Sequence, residues 1–252
     1  MKRTLIAGLA GSTLLGLFAC SNSNNSTPPL TGAFRLVNGS SDSNGLSASA
    51  TSGFPSTATV NFDSAGSIVD VPNGGYNVQV KPGAGNQFTV NNVSIDHNNL
   101  TTLFTYGSTV SGTANGFAAE ENLGTPTSGN FTFQFANDTT QVATSPLSIY
   151  LVKVGGGISG LQPVAQANAA AASQAVAVPA GTYEIIITNG TSVLYDSGST
   201  KAGVVLPTPN TNVIQIGALD ATSAQASADG SPITLIVMDN NGGETLHLNG
   251  QN

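Results

Sequence analysis

The 252-residue chain lacks tryptophan, has one cysteine and two histidines, and draws only 8% of its residues from Asp, Glu, Lys and Arg. Each shortage excludes something. One thiol, Cys20, rules out an intramolecular disulfide, a thiol nucleophile in the folded body and any multi-cysteine metal site. Two imidazoles leave zinc short of its usual ligands. The absence of tryptophan removes the side chain that stacks best on sugars. Cations are scarcer than anions: the formal net charge is −7, and without Lys2 and Arg3 only Arg35, Lys81, Lys153 and Lys201 remain against 13 acids. A surface of that sign repels phosphate backbones, so nucleic acid is not an expected partner. No long run places apolar residues at helical spacing.

What the chain does contain is Ser, Thr, Asn and Gly between short alternating apolar runs, with 39% hydrophobic residues to supply a core. One pattern occurs twice. Val69-Asp-Val-Pro-Asn-Gly-Gly-Tyr-Asn-Val-Gln-Val80 and Val176-Ala-Val-Pro-Ala-Gly-Thr-Tyr-Glu-Ile-Ile-Ile187 align Pro72 with Pro179, Gly74 with Gly181 and Tyr76 with Tyr183, 107 residues apart. Each copy reads as strand, tight turn, strand: proline pre-sets φ, glycine admits the turn, and period-2 apolar positions flank it. Short strands separated by Gly, Pro, Asn and Asp clusters favour sandwiches over a β-α-β fold. The expectation is an all-β chain of two tandem antiparallel β-sandwich domains.

Lys2 and Arg3, the apolar run Leu5 to Phe18 and the following Ala19-Cys20 have the layout of an export signal, too short for an ordinary membrane span. The expected organisation is a signal peptide over 1–19, a lipidated Cys20 and flexible tether over 20–31, a first domain over 32–123 and a linker over 124–129. A second domain over 130–246 and a tail over 247–252 complete it.

Candidate chemistry is sparse. Asp96-His97 could start a catalytic dyad but sits in a polar loop, and His247 falls in the expected tail. Glu120 and Glu121, the adjacent acids, would point to opposite faces of a strand and are expected in a solvated loop. Asp239-Asn-Asn-Gly-Gly-Glu244 is a weak calcium candidate through Asp239, Asn241 and Glu244, with too few carboxylates and the wrong spacing for an EF-hand loop. No catalytic residue and no cofactor is expected.

Three resemblances extend this reading. Leu17-Phe18-Ala19-Cys20 resembles the bacterial lipobox, which implies that Cys20 carries acyl chains. Ser21 after it implies sorting to the outer membrane, with the face of that membrane left open. The tyrosine after each Pro-x-Gly turn resembles the tyrosine corner of immunoglobulin-like sandwiches, which implies a ring packed in the core and a hydroxyl bonded to a turn carbonyl. Arg35, Val37, Asn38, Ser41 and Asp42, with the Val-Pro-x-Gly-x-Tyr element, resemble the opening of a bacterial envelope family of unknown function. The family's domains are often tandem and lipid-anchored. Ser148-Ile-Tyr-Leu151 resembles the family's second element, and Thr102 to Gly107 and Asn212 to Gly217 its close. The family supplies no activity. The anchor, the tether, the repeated sandwich and the lack of a convincing catalytic set together lead to the expectation of a non-enzymatic envelope protein serving adhesion, scaffolding or protein interaction, or alternatively a carbohydrate- or matrix-binding module, with an envelope protein or glycan as partner. A cluster of exposed tyrosines on one sheet face would favour the glycan alternative.

Overall fold

The structure, a computed structural model, describes residues 29–51, 53–122, 126–140, 146–198, 203–207, 213–220, 232–240 and 244–249. Cys20 and Asn241 lie outside them. Every regular element described is a strand. Residues Thr31–Asn38 (β1), Leu46–Ser49 (β2), Ser64–Ala65 (β3), Val69–Pro72 (β4), Gly74–Pro82 (β5), Phe88–Ile95 (β6), Asn99–Tyr106 (β7) and Asn115–Asn122 (β8) build a first sandwich. One of its sheets runs β3-β1-β7-β8 with β4 also on β1, and the other runs β2-β5-β6.

The second sandwich uses Asn130–Asp138 (β9), Leu147–Val152 (β10), Ala165–Ala167 (β11), Ala171–Ala172 (β12), Val176–Pro179 (β13), Gly181–Asn189 (β14), Ser192–Asp196 (β15), Val204–Leu206 (β16), Val213–Asp220 (β17), Ile233–Asp239 (β18) and Glu244–Asn249 (β19). Its sheets run β12-β9-β17-β18-β19, with β13 also on β9, and β11-β10-β14-β15, with β16 also on β14.

The two sandwiches repeat each other in register. Val69 pairs with Phe34 and Pro72 with Thr31; Val176 pairs with Phe133 and Pro179 with Asn130. Arg35 pairs with Thr102, and its counterpart Gln134 pairs with Gln215. Val37 pairs with Ala65, and Ala136 with Ala172. The antiparallel expectation needs one amendment in each copy: β1 runs parallel to β7, and β9 parallel to β17. A parallel neighbour requires a long crossover, and here the whole intervening sheet provides it.

Strand alternation assigns the faces. In β5, Tyr76, Val78 and Val80 are buried and the residues between them exposed, the pattern of a sheet with one wet face. β7 and β18 differ, for Leu100 to Thr105 and Leu235 to Asp239 are buried at every position. In the second sandwich, Ile233, Leu235 and Val237 join Phe131, Phe133 and Phe135 in the internal core. Ile236 and Met238 instead join Val37, Phe104, Ala119, Ala136 and Leu219 in a cluster drawn from both sandwiches. The sandwiches are therefore mated face to face.

Two expectations are corrected. Residues 115–122, read as loop around Glu120 and Glu121, form β8, paired along its length to β7. Glu120 is exposed and Glu121 is 1% exposed, because the odd positions of β8 face the second sandwich. The chain from 247 is not a tail: His247 pairs with Ile236 inside β19, which covers the edge of β18. An uncovered β18, apolar at five of its seven positions, would be an aggregation-prone edge.

Candidate interaction site at the domain seam

The facing sheets meet about a pseudo-two-fold relation. β8 lies against β12 at one end of the seam, and their counterparts β18 and β3 lie against each other at the other. Equivalent positions carry different residues that fill one another. The Phe104 ring occupies the space where its counterpart Gly217 lacks a side chain; a Cβ on Gly217 would stand 2.8 Å from that ring.

At the centre lies a polar chain. The fully buried Arg35 donates to Thr102 Oγ1 at 3.1 Å, to Gln215 Oε1 at 3.3 Å and to the Asp239 carbonyl at 2.6 Å. Gln215 Nε2 donates to Gln134 Oε1 at 2.7 Å. Gln134 Nε2 then reaches the carbonyls of Ser173, at 3.1 Å, and Glu120, at 3.3 Å. The bonds thus cross from the first sandwich to the second and back. Desolvation lowers the Arg35 guanidinium to about 10, the carboxylates of Glu121 and Asp239 offsetting part of the loss, so it stays charged at neutral pH.

Two buried acids flank this chain. Desolvation raises Glu121 to about 7, with Arg35 pulling the other way, and neither carboxyl oxygen has a hydrogen-bond partner among the described residues. Asp138 is pushed well above the carboxylate range by burial and then by Asp220, and its two oxygens likewise lack a partner among the described residues. Asp42 behaves oppositely. Partial burial acts to raise it, but hydrogen bonds from the Ser108 hydroxyl and from Thr109 and Val110 outweigh that and hold it low. It latches the turn after β1 to the loop after β7.

The remaining expected residues are placed as follows. The Tyr76 hydroxyl donates to the Pro72 carbonyl at 2.7 Å, and the Tyr183 hydroxyl to the Pro179 carbonyl at 2.6 Å. Each ring folds back over the glycine two residues earlier, Gly74 or Gly181; a Cβ there would stand 3.6 Å or 3.3 Å from the ring. At Gly181 that distance is tighter than an ordinary contact; at Gly74 it is ordinary, and the φ of 155° is what favours glycine there. Tyr76 and Tyr195 are buried, and Tyr106, Tyr150 and Tyr183 are half-buried. His97 is exposed, its Nδ1 3.0 Å from the Thr31 carbonyl. Asp239 is buried beside the Arg35 guanidinium, whose charge opposes a cation there. Glu244, the third residue of that candidate, sits in β19. Among the described residues no group of three or more His, Cys, Asp and Glu is placed to hold a metal.

Sequence reasoning did not see the seam: it named Arg35 only within the family opening, placed Glu121 in a solvated loop, and singled out neither Gln134 nor Gln215. A signal existed: Arg35 interrupts a strand whose two faces are otherwise apolar, and Gln134 sits among three phenylalanines. No family model matches the chain, and no curated protein matches it.

At the β8 end the seam opens into a cleft of about 440 Å³. Asn99, Ala118 and Glu120 form one wall, Ser173 and Gln174 the other, and Gln134 bridges them. This volume falls in the range of ligand-binding clefts.

Proposed function

We propose that the chain is a lipid-anchored, non-enzymatic protein of the bacterial cell envelope. Cys20 attaches it to the outer membrane, and its mated sandwiches act in adhesion, scaffolding or protein interaction. The observation that carries the anchor is Leu17-Phe18-Ala19-Cys20 closing a cationic-then-apolar leader, followed by a polar, uncharged segment from Ser21 to Thr27. Several acyl chains on one residue hold stably, since each buried methylene contributes about 0.8 kcal/mol. The open cleft at the seam and the edge of β8, which no strand among the described residues covers, support the interaction role.

Metabolic labelling with an alkynyl fatty acid tests the anchor. Wild-type protein takes the label and sediments with membranes; Cys20→Ala loses the label and becomes soluble. Equal labelling of the two would refute it. The glycan-binding alternative draws less support, since Tyr76 and Tyr195 are buried and Tyr106, Tyr150 and Tyr183 half-buried rather than exposed as a cluster on one face.

A further inference from the structure

The repeat that relates the sandwiches is incomplete in one place. In the second sandwich β18 is followed by β19, and both lie against β3. In the first, the counterpart of β18 is β8, which ends its sheet, and the counterpart of β3 is β12. The position that β19 would take beside β8 is the cleft between Ala118 and Gln174.

The backbone of β8 is suited to filling that position. Its only strand partner among the described residues is β7, so alternate residues turn their N–H and C=O groups away from the sheet. Glu120 is one of these, because its carbonyl accepts from Gln134 of the other sandwich. Two residues back, the exposed Ala118 turns the same way, and at Gly116 the outward N–H is met by the Asn115 side chain. The Gln134 amide thus stands in for one donor that a neighbouring strand would supply.

We propose that the edge of β8 is a strand-addition site: an extended segment of another protein pairs antiparallel with β8, as β19 pairs with β18, and lies over Ser173 and Gln174. The proposal deepens the interaction reading above and rests on it. Glu120, exposed and held by Asn99 Nδ2 at 2.7 Å, gives this edge a carboxylate, so the incoming strand carries Lys or Arg opposite it. A second copy of this chain is a poor occupant, since its net charge is −7. The tether is a poorer one, since Ser21 to Thr27 contain no cation. Backbone pairing supplies affinity, and the narrow wall opposite restricts side chains on the seam side.

The test places a photo-crosslinking residue at Gln174 of the full-length protein in cells, with exposed Val205 on β16 as a remote site. Ala118→Pro removes the outward N–H while leaving charge and the β7 ladder intact, as proline is tolerated on the open side of an edge strand. The expected result is an adduct from Gln174 whose mapped peptide is extended and contains Lys or Arg. Ala118→Pro should reduce its yield at least tenfold. Should that variant misfold, Gln174→Trp, which fills the cleft from an exposed position, is expected to abolish binding of an alternating Lys–Val decapeptide to the purified protein. Adducts from Val205 but none from Gln174, adducts indifferent to Ala118→Pro, or binding indifferent to Gln174→Trp would overturn the site while sparing the interaction role. An adduct with a second copy or with the tether would overturn the proposed occupant. Adducts with no protein from either site would sink the interaction role as well.

Discussion

The two sandwiches share strand order, register and the proline–tyrosine corner, yet they are not interchangeable at the surface where they meet. The first contributes bulk and charge there, in Phe104, Arg35 and Glu121. The second contributes space and neutral polarity, in Gly217, Gln134 and Gln215. A seam between identical copies would have set two arginines and two phenylalanines against each other. Different residues at the equivalent positions Arg35/Gln134 and Phe104/Gly217 make the two faces complementary rather than self-facing. The same comparison explains the ends of the seam, closed by β19 on one side and open beside β8 on the other.

The comparison is broken most severely at Arg35. Removing one member of a buried charge group leaves the others uncompensated, so Arg35→Ala is expected to lower stability by about 3–5 kcal/mol in denaturant unfolding. Arg35→Met, which keeps volume and loses the charge, should still leave Glu121 unpaired. A loss below that of a typical surface substitution would mean that the seam does not bury this group.

Next comes the Phe104–Gly217 exchange. Gly217→Val forces a side chain into the Phe104 ring and should cost about 1–3 kcal/mol. Adding Phe104→Ala should recover part of that loss, and strict additivity would show that the two residues do not touch.

The flanking acids sharpen the comparison through pH. Burial pushes the folded Glu121 carboxyl up to about 7, above its ordinary value of 4.5, so the folded state holds more protons between these values. Stability should therefore rise as pH falls from 8 towards 5, by at most about 1.4 kcal/mol per pH unit for one proton. Asp138, also raised, contributes in the same direction. Glu121→Gln should flatten the rise, measured as Tm against pH. Below that window Asp42 acts oppositely: its lowered pKa gives stability that is present above the ordinary carboxylate range and lost as pH falls through the folded value.

The smallest effects belong to the corners, where the sandwiches are most alike. Tyr76→Phe and Tyr183→Phe each remove one hydroxyl-to-carbonyl bond, a loss of about 1 kcal/mol. Tyr76, the more buried, should lose more. Unchanged melting curves for both would deny the corners a structural role.

The corners were legible in the sequence because their chemistry is contiguous: proline, glycine and tyrosine within five residues settle the turn, the ring position and the hydroxyl's acceptor. The all-β class was legible from alternation for the same reason. β8 was not, since Ala118 and Ala119 give no contrast between faces and Glu121 reads as solvated until a second sheet covers it. β19 was hidden by its polar flank, Asp239 to Glu244. The seam depends on which faces meet across more than a hundred residues, and local pattern carries no such information. Its one trace was an arginine inside a strand apolar on both sides.

The central claim is that both sandwiches form one body through this seam. Spin labels at Gln79 in the first and Val193 in the second, both exposed, can be placed in a Cys20→Ala background and their separation measured by pulsed dipolar spectroscopy. The account predicts one narrow distance distribution that broadens on Arg35→Ala. A broad distribution in the otherwise unaltered protein would contradict it.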